Sequence, residues 1–205
     1  KLLDMLYSLR RFRLMQICGV DEAGRGPVIG PLVVASFSLP EDKLYLIESL
    51  KVKDSKKLSP PKRETLFEMI CESGVMWRAQ AASPARIDRI NILRASLWCM
   101  KRSVERLDTE PDMVLVDGNT LIPDLWIYQK CVICGDDIVP SIAAASVIAK
   151  VLRDRVMQTL DRIYPEYGFC SHKGYPSAEH RRILLEIGPS PVHRISFRGV
   201  AKGSG

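Results

Sequence analysis

Short apolar runs alternate with helix-patterned segments along this chain, and several of the runs stop at an acidic residue. The strand-like runs cover 17–20, 28–39, 75–81, 113–117 and 127–133. Helical patterns cover 42–50, 60–72, a segment that opens at Ser83-Pro84, 92–107, 140–164 and 177–187. A glycine-rich turn between the first two strands predicts a hairpin. Strands that interleave with helices after an opening hairpin indicate an α/β fold, a central sheet flanked by helices.

Charge and hydropathy narrow the class of protein. The 205 residues include 30 Lys and Arg against 24 Asp and Glu, a net charge of +6. This excess favours a polyanionic partner, although many basic proteins bind none. No apolar stretch reaches the roughly 18 residues that a membrane span needs. Six cysteines in apolar surroundings indicate reduced core thiols. We expect a cytoplasmic monomer with no membrane segment.

Two carboxylates, a glycine turn and an arginine stand together at residues 21–27, DEAGRGP. Carboxylates bind hard cations such as Mg²⁺. Glycines let the backbone approach a ligand closely, and an arginine between them can pair with phosphate. This combination suggests phosphoryl-transfer chemistry on a nucleic acid. A strand that ends in an acidic, glycine-containing turn also accounts for the heptad.

Acids recur where other elements end or begin. Asp117 closes a central strand, and Asp136 and Asp137 precede the long helix. Ligands of α/β sheets commonly lie beyond the carboxyl ends of strands, so these acids could converge with the first two. Convergent carboxylates repel one another unless cations lie between them, which indicates a two-metal site. Asp21 and Glu22 share it only if their strand bends, because strand neighbours face opposite ways. Each acid alone is also explained as a solvated strand end or a helix cap.

Five motifs follow one another between about residues 17 and 198: 19–27, 54–58, 116–119, 142–151 and 172–176. Together they resemble the ribonuclease HII family. The resemblance implies an RNase H-like fold with a C-terminal helical extension from about residue 165. It also implies cleavage of RNA in RNA–DNA hybrids and on the 5′ side of single ribonucleotides in duplex DNA. The products would carry 5′-phosphate and 3′-hydroxyl ends, with roles in ribonucleotide excision repair and RNA primer removal.

The resemblance implies a two-metal site with Mg²⁺ or Mn²⁺. Its ligands on this sequence would be Asp21, Glu22, Asp117 and Asp136. Asp137 is the alternative fourth acid, because the family usually has a small residue directly after that acid. The distance along the chain to Pro140 favours Asp136.

The resemblance also implies which residues recognise the ribonucleotide in the substrate. The backbone of Gly24, Arg25 and Gly26 would contact the 2′-hydroxyl, which distinguishes RNA from DNA. Tyr175 would stack on the sugar beside the ribonucleotide; without the resemblance it is a turn aromatic that covers the core. Lys56 would lie on the approach to the phosphate backbone.

Other charged residues have weaker assignments. Further phosphate contacts, equally consistent with ordinary surface charge, are Lys57, Arg153, Arg155, Lys173, Arg181 and Arg182. Asp154 is interpreted as a salt-bridge residue rather than a metal ligand. His180 is interpreted as structural, and His193 as fixing a C-terminal turn.

Two alternatives remain beside this hypothesis. A type HIII ribonuclease carries a substrate-binding N-terminal domain, whereas only 16 residues precede Ile17. A catalytically silent nucleic-acid-binding module would not require all the acids. The domain prediction is a leader at 1–16, one catalytic domain over 17–198 including the helical extension, and a tail at 199–205.

Overall fold

The computed structural model describes residues 15–43 and 58–200. The strands are β1 (Gln16–Ala23), β2 (Leu32–Pro40), β3 (Met76–Ala82), β4 (Met113–Asp117) and β5 (Tyr128–Val132). The helices are α1 (Pro60–Glu72), α2 (Pro84–Ile90), α3 (Ile92–Glu105), α4 (Gly135–Ile138), α5 (Pro140–Ile163), α6 (Phe169–His172) and α7 (Ala178–Ile187). Lys56, Lys57, positions 44–50 of the predicted helix, 1–14 of the leader and 201–205 lie outside the described residues.

The sheet is mixed and has the order β3-β2-β1-β4-β5. β1 and β2 form the predicted antiparallel hairpin, in register from Gln16 opposite Pro40 to Ala23 opposite Val33. β4 runs parallel to β1, and their last paired residues are Val20 and Val116. The predicted α/β architecture is therefore confirmed, with β1 at the centre of the sheet.

The second strand begins later than its apolar pattern predicts. The pattern covers 28–39, but β2 starts at Leu32. Gly30 has a φ of 72°, outside the strand region, and Pro31 has no backbone N–H to donate to a ladder. The backbone of Val28 instead donates to Gly174 at 2.8 Å. The predicted strand start was wrong because this glycine-proline pair diverts the chain towards the C-terminal helices.

Helices cover both faces of the sheet. α1 and α5 pack with Phe37 and Leu39 on one face, while α2 and α3 pack with Val34 and Val116 on the other. Burial on both faces explains why β2 is buried along nearly its whole length and why its first four residues, 32–35, are all apolar. A third cluster joins the C-terminal helices to Ile29 and to the second half of α5.

The start of α5 lies directly against β1. Pro140 occupies the first turn, where a missing N–H costs nothing, and the segment 141–149 is buried. A Cβ added at Gly19 would collide with backbone atoms of Ser141 and Ile142. Only a residue without a side chain allows this approach, so Gly19 sets the distance between helix and strand.

The cysteines and the helices bear on two further predictions. All six cysteines are free, and only Cys18 and Cys99 are buried, whereas Cys71, Cys134 and Cys170 are exposed. The expectation of core thiols was therefore wrong for these last three.

Among the described residues, no helix combines the length and apolarity that crossing a membrane requires.

Replacing Gly19 with Ala should destabilise the protein by about 3 kcal/mol, because the helix backbone cannot move away without opening the core. Urea unfolding followed by circular dichroism measures this change. Gly74→Ala is the control: its added Cβ meets no atom within 4 Å, although its φ of 69° still carries strain of about 1 kcal/mol. Equal losses in the two variants would contradict the close-approach argument.

Candidate active site and nucleic-acid cleft

Asp21 and Glu22 lie near the end of β1 and face opposite sides of the sheet. They pair in regular register with Ala35 and Val34, so no bulge turns the two side chains to the same face. Asp21 is 4% exposed; it accepts the Glu22 backbone N–H at 2.7 Å, and the Ser146 hydroxyl of α5 favours its charged form. Glu22 accepts one from the Ser96 hydroxyl of α3 at 3.2 Å. Each acid is therefore held by a helix on its own side.

Asp117 is the last residue of β4 and interacts electrostatically with the acids on both faces of the sheet. It follows the last β1–β4 pair, so it comes beside Asp21 at the sheet end. Its negative charge acts on both Asp21 and Glu22. The electrostatic interaction among the three acids thus depends on where the neighbouring strand ends.

The position of Asp136, the fourth candidate acid, depends on a hydrogen bond to Asp117. One Asp117 oxygen accepts the Gly135 backbone N–H at 2.7 Å, which fixes the start of α4 beside the end of β4. Asp136 is then 2% exposed, whereas Asp137 is exposed to solvent. The structure therefore places Asp136 on the inner side and Asp137 on the outer side of this short helix.

The acids repel one another in a poorly solvated place. Burial raises the pKa of Asp21 well above its usual range, and the charges of Asp117 and Glu22 raise it further. Burial also raises the pKa of Glu22, against the opposing effects of Arg25 and Ser96. Arg25 contacts the Glu22 carboxylate at 3.2 Å. The folded chain thus concentrates negative charge that it compensates only in part.

Hard divalent cations fit this set of donors. All four candidate ligands offer carboxylate oxygens, the ligand type that Mg²⁺ and Mn²⁺ accept. Within residues 15–43 and 58–200, no three His, Cys, Asp or Glu side chains are already grouped to enclose an ion. Like charges without a cation are expected to stand apart, and Glu22 is paired with Arg25. The donor chemistry therefore fits, and a cation would draw the carboxylates together.

The glycine turn, formed by Gly24, Arg25, Gly26 and Pro27, follows β1 at the edge of this acidic region. Gly24 has a φ of 98°, which favours glycine, and a Cβ there would collide with the Arg153 side chain. Arg25 and Gly26 are exposed. The turn thus presents backbone at the surface while its first residue lies against the interior.

Tyr175 stands next to the turn. Its side chain is exposed, which argues against a role in covering the core. A Cβ built on Gly26 would lie 3.4 Å from the ring. A cleft of about 290 Å³ lies here, lined by Glu22, Ala23, Gly24, Arg63, Ser146, Lys150, Arg153 and Tyr175. The structure therefore brings one candidate metal ligand and two candidate substrate-reading elements to a single cleft.

Basic side chains beside the cleft are organised by Asp154. It contacts Lys150 at 2.6 Å and Arg63 and Lys173 at 3.7 Å each, so its predicted salt-bridge role is confirmed. Burial lowers the pKa of Lys150, and Asp154 opposes this. Sequence reasoning missed Arg63 and Lys150, because no local pattern signals that α1 and α5 bring them to one cleft.

Several remaining assignments are resolved by burial. Arg153 is 1% exposed and donates to the Pro31, Ile29 and Lys173 carbonyls, so both earlier interpretations, phosphate contact and surface charge, were wrong. His180 and His193 are buried, as their structural roles predict. His193 Nδ1 accepts the Ser190 N–H at 2.9 Å, which confirms the fixed C-terminal turn.

Comparison with known proteins identifies the relatives of this chain. The family model described as Ribonuclease HII matches residues 18–200. A ribonuclease HII from Polaromonas sp. strain JS666 is 50% identical over 186 residues, which are 91% of each protein. One from Acaryochloris marina is 47% identical over 182 residues, 89% of this chain and 92% of that protein.

Solved structures give the same result for the fold. The ribonuclease H2 of Pyrococcus horikoshii OT3 superposes with a TM-score of 0.79 at 29% identity, covering 91% of this chain and 95% of that one. The ribonuclease HII of Archaeoglobus fulgidus, solved with PCNA, superposes with a TM-score of 0.71 at 33% identity, over 84% and 88%. The expected RNase H-like fold is confirmed.

Without a divalent cation, Asp21→Asn should stabilise the protein. The pKa of Asp21 is raised in the folded state, so the folded protein binds more protons and wild-type stability falls as pH rises. We expect the variant to be more stable by roughly 1 kcal/mol at pH 8 and the gain to shrink towards pH 5. Urea unfolding in EDTA at both pH values measures the difference.

The exposed Asp137 supplies the matched control for this experiment. Asp137→Asn should change stability by less than about 0.5 kcal/mol at either pH. A loss of stability in Asp21→Asn at pH 8 would contradict the repulsion argument.

Proposed function

The chain belongs to the ribonuclease HII family of RNA–DNA hybrid endonucleases, and we propose that it also cleaves duplex DNA on the 5′ side of a single embedded ribonucleotide. The reaction would be phosphodiester hydrolysis with divalent cations, leaving 5′-phosphate and 3′-hydroxyl ends. Such an activity suits ribonucleotide excision repair and RNA primer removal.

One observation carries the proposal. Glu22, near the end of β1, lines a cleft that also contains Gly24 and the exposed Tyr175, and its charge and that of Asp117 act on the buried Asp21. The groups that would act on a phosphodiester therefore adjoin the groups that would read a ribose. A site that only bound nucleic acid would have no need to concentrate buried carboxylates, which raises the electrostatic cost of folding.

Asp21, Glu22, Asp117 and Asp136 would hold the cations. When bound there, two divalent cations would activate a water for attack on phosphorus and stabilise the leaving 3′ oxygen. Asp21 and Asp117 supply charge from inside the sheet, and Ser146 and the Gly135 N–H orient them. Glu22 would exchange its contact with Arg25 for the cation, which would free Arg25 for the substrate.

Recognition would combine backbone and ring contacts. Peptide groups of the glycine turn suit the 2′-hydroxyl, which donates and accepts hydrogen bonds whatever base the ribose carries. Tyr175, adjacent to Gly26, would stack on the neighbouring sugar and favour a ribo-to-deoxyribo junction. Lys150 and Arg63, which line the cleft, would approach the phosphates.

Purified protein should cut a DNA duplex that contains one ribonucleotide, on its 5′ side, with Mg²⁺ or Mn²⁺ and not with EDTA. It should also cut an RNA–DNA hybrid and leave an all-DNA duplex intact, because the proposed site reads the 2′-hydroxyl. Gel analysis of end-labelled duplexes measures all three substrates. Cleavage of the hybrid alone would refute the single-ribonucleotide proposal, and binding without cleavage would favour a silent module.

Asp136→Asn should lower cleavage about a thousandfold or more, because the variant loses a charged candidate ligand at a buried position. Asp137→Asn is the matched control, one residue away and exposed, and should keep activity within about threefold. Cleavage rates with saturating Mn²⁺, and duplex binding in EDTA, compare the two variants. The reverse ranking would transfer the fourth ligand to Asp137.

A further inference from the structure

Arg194 lies behind the glycine turn, fully buried. Its guanidinium donates to the carbonyls of Gly24 at 2.7 Å, Arg25 at 3.1 Å and Pro27 at 2.7 Å. A further donation reaches Gly30 at 3.0 Å. One side chain therefore holds most of the carbonyls of the turn on its inner side.

This arrangement determines where the peptide N–H groups of the turn point. In a planar trans peptide, the N–H lies opposite the preceding C=O. Because the carbonyls of Gly24 and Arg25 point inward to Arg194, the N–H groups of Arg25 and Gly26 point the other way. Arg194 thus turns two backbone donors outward at the exposed part of the turn.

Burying this guanidinium is costly. Among the described residues, no carboxylate lies within ion-pair distance of it, so the charge is satisfied by carbonyl oxygens. Burial, and secondly the charge of Arg153, lowers the pKa of Arg194 to about 9. A neutral or shorter residue would avoid this cost, but it could not reach several carbonyls at once.

The adjacent residue, His193, is connected to Tyr175. His193 Nδ1 accepts from the Ser190 N–H, so in the neutral ring Nε2 carries the hydrogen. That Nε2–H donates to His180 Nε2 at 3.0 Å. The remaining nitrogen of His180, Nδ1, then carries a hydrogen and donates to the Tyr175 carbonyl at 3.1 Å. A directed chain of hydrogen bonds therefore runs from the 190–193 turn to Tyr175.

Both rings are held in the neutral form that this chain requires. Burial lowers the pKa of His193 to about 4 and lowers that of His180 as well. His172 stacks on His180 with ring centroids 4.2 Å apart and accepts the Gly174 N–H at 3.1 Å. The backbone on both sides of the Gly174–Tyr175 peptide is thus fixed from the interior.

We propose that His193 and Arg194 are positioning residues for substrate selection. Arg194 orients the donors of the glycine turn, and His193 fixes Tyr175 through His180, so one dipeptide sets the geometry of both ribose-reading elements. Neither side chain touches the substrate. This inference rests on the proposed function, because it assigns the support of the same site.

Two substitutions at His193 separate its two hydrogen bonds. The amide nitrogen of Gln lies near the position of Nε2, so His193→Gln keeps a donor for His180. The Asn oxygen lies near the position of Nδ1, so His193→Asn keeps the bond from Ser190 and loses the link to His180. We expect His193→Asn to lower the ratio of single-ribonucleotide cleavage to hybrid cleavage about tenfold. His193→Gln should keep the ratio within about twofold.

Arg194→Lys keeps the charge and removes the planar fork. We expect kcat to fall about 100-fold on both ribonucleotide substrates, with KM within about threefold, because misplaced turn donors misalign the bound substrate rather than prevent binding. Arg198→Lys, an exposed arginine of the same segment, is the matched control and should change neither constant. Tyr175→Ala provides the reference for complete loss of the ring.

The experiment measures kcat and KM on both substrates for the full chain, and a melting temperature for every variant. A wild-type protein that cuts neither substrate overturns the proposed function itself. An active wild type with equal ratios in His193→Asn and His193→Gln overturns the role of His193. Losses in Arg194→Lys that only follow its folded fraction, or appear in KM alone, overturn the role of Arg194. Should Arg194→Lys fail to fold, the His193 pair decides the proposal.

Discussion

The contact between the first turns of α5 and the middle of β1 is the constraint on which the rest of the site depends. Backbone meets backbone at Gly19, and no side chain fits between them. This brings Ser146 to Asp21, two residues farther along the strand. It also fixes where the chain before Pro140 can lie, so that Gly135 meets Asp117 and Asp136 faces inward. Without this approach, Asp21, Asp117 and Asp136 would not be held near the same end of the sheet.

This packing also places two carboxylates in an unfavourable electrostatic environment. The fold carries Asp21 and Glu22 into surroundings that disfavour their charged forms, next to Asp117, and offsets this only partly with Arg25, Ser146 and Ser96. A domain selected for stability alone would replace such groups, because uncompensated buried charge is costly. The cost is understandable where divalent cations and a polyanionic substrate complete the charge balance.

Basic and polar side chains, rather than acids, support the proposed recognition elements. Around the glycine turn and Tyr175, the interior contains cationic or polar side chains that face carbonyl oxygens: Arg153, Arg194 and His180. Such bonds hold backbone rather than side chains, which suits recognition of a sugar that any base can carry. In the proposed function, the acids would therefore supply the chemistry, and the buried basic and polar side chains would set the geometry of recognition.

Much of the fold follows from local pattern. The bounds of α1 and of β4 agree with the prediction. Ser59-Pro60 marks the helix start, and the apolar run that ends at Asp117 marks the strand, so neither needs contacts from distant residues. The start of β2 was wrong because the Gly30-Pro31 interruption gains its effect from partners in the C-terminal helices. The candidate acids, the glycine turn and Tyr175 were identified from motifs. The burial of Arg153 and the link from His193 to Tyr175 were not.

The sequence by itself thus determined which chemical groups are present, where strands and helices form, and the family to which the chain belongs. These properties depend on residue type and spacing, which can be recognised within short stretches of the sequence. Only the tertiary structure decided that the charge of Asp117 acts on both Asp21 and Glu22, which face opposite sides of the sheet. It also decided that Arg194 lies behind residues about 170 positions earlier in the chain. Such contacts arise from packing of distant segments, and an arginine that will be buried has the same local pattern as one that will be exposed.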